Sequence, residues 1–159
     1  MPDAAHPIAF NPLEATEAGA RPLVASGLIS IFKKIWPESW GPRMEYILRS
    51  VLITLLDLHG STLLDVPRLF DDPDFRSYAV GRVQNPEVRR FWLREYQKYP
   101  PHFRAEAIAP IQNKVGEFLV NPLLQRIVGQ PKSSFDLRQV MDEGNRRGHG
   151  SAAWSNAGD

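Results

Sequence analysis

Cysteine is absent from the 159-residue chain, and with it go disulfides, thiolate catalysis and cysteine-type zinc sites. A strong charge of either sign is also missing. The formal net charge is +1, so contact with nucleic acid has to rest on where the cations sit, not on how many there are. Long apolar runs are lacking too. The longest, Val51 to Leu56 with Thr54 inside it, is far below the roughly 20 residues of a membrane span. Residues 1–20 hold acids and prolines where a signal peptide has a basic start and an apolar stretch. A cytoplasmic chain without membrane contact is the expectation. Catalytic signatures are missing as well: no GxxxxGK(S/T), GxGxxG, HExxH, GxSxG or EF-hand spacing occurs. The histidines (His6, His59, His102, His149) are scattered, with no second ligand at helical spacing, and read as helix-end or surface residues. No cofactor, no metal and no enzymatic activity are expected.

What is present reads as one helical domain. The apolar fraction of 43% with 23% charged residues suits a globular protein of single-domain size. Ala20 to Trp36 places Leu23, Leu28, Ile31, Phe32 and Ile35 at helical spacing, with Lys33 and Lys34 where cations suit the helix dipole. Pro37 stops this helix, and Pro42 is placed as the first residue of the next. Arg43 to His59 is the strongest helix. Met44, Ile47, Leu48, Val51, Leu55 and Leu58 form one face, and Leu52, Ile53 and Leu56 extend it nearly all round, as in a helix central to a core. Gly60 is its stop signal. Asp65-Val66-Pro67 is a cap and start. Asp71-Asp72-Pro73-Asp74 is an acidic turn that either caps the next helix, Phe75 to Val83, or holds a cation. Asn85-Pro86-Glu87 combines a cap, a first-turn proline and a first-turn acid for a helix running to about Tyr99. Further helices are expected over 102–120, from Asn121-Pro122 to Val128, and from Phe135 to Met141.

The fold class is therefore all-α, a bundle of short helices around the one at 43–59. Residues 1–19 form an irregular arm, 20–143 the helical domain and 144–159 a disordered tail. Pro7 to Phe10 allows the end of a strand. Gly144 to Gly150, with Arg146 and Arg147, lacks the helix that a phosphate-binding loop needs.

One constellation stands out. From Arg76 to Arg104 lie Arg76, Arg82, Arg89, Arg90, Arg94, Lys98 and Arg104, with only Glu87 and Glu95 against them. Arg90, Arg94 and Lys98 fall four apart and make one helical stripe, while Val88, Phe91, Trp92 and Tyr96 face another way. A basic stripe beside aromatics suits a phosphate backbone and unstacked bases. The same pattern also fits a core helix whose basic face balances the acidic segment from Asp57 to Asp74.

Phe10-Asn11-Pro12-Leu13, Trp40-Gly41-Pro42-Arg43 running into Ile47-Leu48-Arg49, Pro110-Ile111-Gln112-Asn113-Lys114-Val115-Gly116 and Arg126-Ile127-Val128-Gly129-Gln130 come in that order. Together they resemble the middle of the conjugative and type IV secretion coupling ATPases, related to FtsK and HerA-like DNA translocases. The resemblance covers about residues 6 to 143. It implies a helical insertion between strands of a nucleotide-binding domain, on a face where DNA or delivered substrates are recognised. By the same resemblance Walker A would lie upstream of Met1, and an apolar Walker B strand would follow Glu143. Asn145-Arg146-Arg147-Gly148-His149-Gly150 departs from that pattern, which is the expectation for a truncated or frameshifted reading frame. ATPase activity is not carried over. The contact candidates are Arg43, Arg49, Arg89, Arg90, Arg94, Lys98 and Lys114, facing DNA or other subunits of a secretion ATPase. The alternative is a free-standing helical interaction module anchored on Trp36, Trp40 and Trp92. Residues 13–19 are expected to have lost a docking surface and to expose apolar area.

Overall fold

The computed structural model describes residues 11–14, 17–122 and 125. Every regular element among them is helical. In chain order these are α1 (Arg21–Ile35), α2 (Pro42–Leu56), α3 (Val66–Asp71), α4 (Pro73–Arg82), α5 (Pro86–Arg90) and α6 (Pro101–Leu119), linked by short 3₁₀ and π turns.

α2 begins as its sequence dictates, with Gly41 extended at the cap and Pro42 at the first helical position, where its missing N–H costs nothing. Its side chains are buried nearly all round, including Met44, Ile47, Leu48, Val51, Leu52 and Leu55. α1, α3, α4, α5 and α6 all pack against it, so α2 is the centre of the bundle. The helix stops short of the expected His59. The Leu58 N–H turns to the Leu55 carbonyl in an i→i+3 bond that tightens the end. Gly60 then takes a left-handed φ of 79°. Ser61 Oγ donates to the Leu58 carbonyl at 3.1 Å and to that of Leu55, satisfying acceptors that the helix end leaves open. Just past the helix, the Asp57 carboxylate accepts from Arg21 Nη1 at 2.7 Å and from the Gln84 N–H at 2.9 Å, tying α1 and the α4–α5 link to the end of α2.

α1 turns a different side to the core than its apolar spacing suggests. Ala25, Ile29 and Phe32 are buried, whereas Leu23, Ile31 and Ile35 are exposed. Two polar contacts to α2 fix this rotation: Arg49 Nη1 donates to Ser26 Oγ at 2.9 Å, and Lys33 Nζ lies 3.2 Å from Glu45 Oε1. The small Ala25, with no exposed surface, then sits where the helices meet.

The capping signals resolve in detail. Asn85 Oδ1 accepts from the N–H of Glu87 at 3.0 Å and of Val88 at 3.4 Å, as its position before Pro86 requires. Asp72 Oδ1 accepts from Asp74 and Phe75, so the acidic turn is the cap of α4. Asp65 differs from expectation. Its side chain does not cap α3; Asp65 Oδ2 accepts from the Thr62 N–H at 3.0 Å while Thr62 Oγ1 accepts from Leu64 at 3.2 Å, a reciprocal box opening a 3₁₀ turn that leads into α3.

The helix expected up to Tyr99 is three pieces: α5, a π turn over Phe91–Glu95 and a 3₁₀ turn over Tyr96–Lys98. α6 continues through Pro110 and buries Ala107, Ile108, Ile111 and Val115. The segment at 11–14 is docked, contrary to expectation. Asn11 Nδ2 donates to the buried Ser61 carbonyl at 2.9 Å, Asn11 Oδ1 accepts from the Leu13 N–H at 3.0 Å, and Leu13 enters the core. The expected strand at 7–10, the last helix at 135–141 and the tail from 144 lie outside the described residues. Of the helix expected at 121–128, the Gln125 N–H bonds the Asn121 carbonyl at 2.9 Å, a helical start.

Candidate nucleic-acid interface

The segment from Pro86 to Lys98 has an inner and an outer side. On the inner side Val88, Phe91, Trp92 and Tyr96 are buried. Trp92 Nε1 donates to Thr54 Oγ1 at 2.8 Å, and Thr54 Oγ1 donates to the Ser50 carbonyl at 2.7 Å, a buried link to α2. Phe91 and Tyr96 each meet Trp92 edge-on, with ring centroids 5.0 Å apart. None of these three rings offers a face to a base. The core alternative for the aromatics is the one that the structure adopts.

The cations between Arg76 and Arg104 fall into two groups. Arg76 and Arg104 bracket Tyr96, their guanidinium carbons 5.2 and 4.6 Å from its ring centroid. Arg76 Nη1 donates to the carbonyls of Leu69 and Phe70 at 3.0 Å each, and Arg104 Nη2 to those of Tyr96 at 3.0 Å and Gln97 at 3.3 Å. Burial pushes the Tyr96 hydroxyl above its ordinary pKa even against these two cations, and the hydroxyl itself has no hydrogen-bond partner among the described residues. Arg82 stacks 3.6 Å from the Tyr78 centroid and bonds its carbonyl.

The second group is exposed. Arg90 pairs with Glu87 at 2.8 Å, an exposed i,i+3 contact of little energetic worth. Arg89, Arg94 and Lys98 are exposed and make no ion pair or hydrogen bond with the described residues. The π turn changes how they line up. The four-residue spacing of Arg90, Arg94 and Lys98 was counted on α geometry. An i→i+5 turn followed by an i→i+3 turn first widens and then tightens the coil, so the three do not stack in α register.

The remaining candidates lie on other elements. Arg43, in the first turn of α2, stacks over Phe103 of α6 at 4.7 Å. Arg49 is held by Ser26 on α1. Lys114 lines an apolar groove with Phe32, Trp36, Trp40, Met44 and Ile111. The structure thus gathers Arg89, Arg90, Arg94 and Lys98 on one segment, and it does not bring Arg49 or Lys114 into that set. Trp36 and Trp40 are half-buried, with Trp36 Nε1 donating to Glu117 Oε2 at 3.1 Å.

Ser77, Val80, Gly81, Leu93 and Gln97, which the sequence did not single out, complete the surface beside Arg76 and Arg89. A cleft of about 220 Å³ runs between α4 and the Pro86–Lys98 segment, lined by Arg76, Ser77, Gly81, Arg89, Leu93 and Gln97, above Val80 and Trp92. No acidic residue among the described ones lines it. Arg76 and Arg89 belong to different helices, and no local spacing signals their approach.

Fold and surface together define an all-α domain with an exposed cationic segment over an aromatic core. No helix among the described residues is long and apolar enough to cross a membrane. No protein-family model, curated protein or solved structure matches the chain.

Proposed function

We propose that this domain is a non-catalytic recognition module that contacts the phosphate backbone of DNA. In that reading it corresponds to the helical insertion of a coupling-type DNA translocase, as its motif order suggests. The observation that carries it is the exposure of Arg89, Arg94 and Lys98 on one segment with no acidic partner among the described residues. Cations left unneutralised in this way are available to displace counterions from a polyanion. Arg90 is half-engaged by Glu87 and ranks below them. With Phe91, Trp92 and Tyr96 enclosed, contact falls on phosphate and not on stacked bases.

Binding of labelled duplex DNA is then weak and salt-sensitive. Charge reversal at Arg94 and Lys98 (R94E with K98E) abolishes it at low salt; affinity equal to the unmodified protein would rule these residues out as the contact. The domain is also expected to release no phosphate from ATP.

A second reading, docking of a protein partner, is favoured by the apolar groove at Trp36 and Trp40 and by the exposed Leu23, Ile31 and Ile35. Salt separates the two, because an apolar interface holds its affinity where a phosphate contact loses it.

A further inference from the structure

The cleft between α4 and the Pro86–Lys98 segment mixes donors and apolar groups on both sides. From α4 come Arg76 and Ser77 as donors, with Val80 and the open face of Gly81, where an added Cβ would meet no atom within 4 Å. From the facing segment come Arg89 and Gln97 as donors, with Leu93. Arg76, which lines the cleft, is held in place by two backbone carbonyls through Nη1, so a contact to it costs little further side-chain freedom. Arg89 opposite has no acidic partner among the described residues. At about 220 Å³ the cleft is smaller than the roughly 300–1,000 Å³ of a typical small-molecule pocket, so it takes one residue-sized group. A ligand with an anionic end and a planar, weakly polar end fits these walls.

We propose that the cleft takes a single unstacked nucleotide of a DNA strand, its phosphate between Arg76 and Arg89 and its base against Val80, Gly81 and Leu93. This rests on the phosphate-contact reading above and adds to it a preference for single strands, because a base paired within a duplex cannot enter. Arginine is suited to both halves of the task, pairing with phosphate and stacking on bases through its guanidinium plane.

Gly81 provides the test. It is exposed in α4 with open space at its Cβ, so a bulky residue there fills the cleft and replaces a helix-weakening glycine. Binding of fluorescein-labelled oligodeoxythymidine and of a duplex of equal length is measured for the unmodified protein and for Gly81→Phe, Gly81→Ala, Arg89→Gln and the R94E, K98E double variant. The expected pattern is tighter binding of the single strand than of the duplex. Gly81→Phe and Arg89→Gln weaken the single strand about tenfold, the scale of one lost nucleotide contact, while Gly81→Ala leaves it unchanged. Single-strand affinity equal to the unmodified protein in both Gly81→Phe and Arg89→Gln overturns the cleft proposal. If R94E with K98E still weakens both ligands in that case, the phosphate-contact reading stands without the cleft. Absence of binding to either ligand by the unmodified protein overturns both.

Discussion

Arg76 and Arg104 differ from Arg94 and Lys98 in everything except charge. The first pair sits against the Tyr96 ring, each arginine giving N–H bonds to two backbone carbonyls. The second pair stands in solvent with no partner among the described residues. Along the sequence the four read as members of one basic run. In the fold, two of them are anchored on backbone carbonyls of the bundle, Arg76 also lining the cleft, and two stand wholly outside it. A count of charges along a chain therefore overstates the surface available to a polyanion, and the deduction has to be made residue by residue.

The sharpest way to break this comparison is to remove what the first pair holds. Tyr96→Ala deletes a buried ring that meets Phe70, Phe91 and Trp92 as well as both arginines, and it should cost about 3–5 kcal/mol in chemical unfolding. A loss below about 1 kcal/mol would show that the ring is not packed as described. Arg76→Ala should follow at about 1–3 kcal/mol, since it takes a donor from the part-buried carbonyls of Leu69 and Phe70; Arg104→Ala should cost less, about 1 kcal/mol, because the Tyr96 carbonyl keeps the Tyr99 N–H and the bond to Gln97 is exposed. Arg94→Ala and Lys98→Ala should stay within about 0.5 kcal/mol of the parent, as exposed unpaired side chains do. Equal losses in the two sets would erase the distinction.

A smaller effect comes from the Tyr96 hydroxyl. Burial raises its pKa above the ordinary tyrosine value of 10.0, so the folded state keeps a proton that the unfolded chain releases. The stabilisation from this protonated form is full below about pH 10 and is lost as pH rises through the higher folded value. Tyr46 is shifted in the same direction by burial and by its bond to Glu95, and Tyr99 by burial. Melting temperature should thus fall above pH 10, and less steeply in Tyr96→Phe. That variant also removes a buried hydroxyl with no partner among the described residues, so at neutral pH it should be as stable as the parent or slightly more so. An alkaline slope unchanged by Tyr96→Phe would remove this residue from the titration.

What could be read from the sequence follows from how local each signal is. α2 was legible because its apolar residues run nearly all round a segment opened by proline and closed by glycine. Asn85 was legible because cap, proline and acid are adjacent. The π turn at Phe91–Glu95 was not, since no residue type marks an i→i+5 turn. Nor was the docking of Leu13, which depends on Asn11 meeting Ser61 fifty residues along the chain. The rotation of α1 was hidden because two of its sides are apolar, and Ser26 and Lys33, through their contacts with Arg49 and Glu45, select one of them. In the candidate site, the exposed cations were visible as residues. The cleft lined by both Arg76 and Arg89 was not, because it exists only once α4 and α5 are both packed on α2.

The central claim is that Arg94 and Lys98 act outward, and it is tested most directly by the salt dependence of oligodeoxythymidine binding for the parent and for the R94A, K98A double variant. Each phosphate contact contributes about 0.7 to the slope of log affinity against log salt for a single strand, so losing two should make the slope shallower by about 1.4. Parallel lines for the two proteins would contradict the account and leave these cations as ordinary solvated side chains.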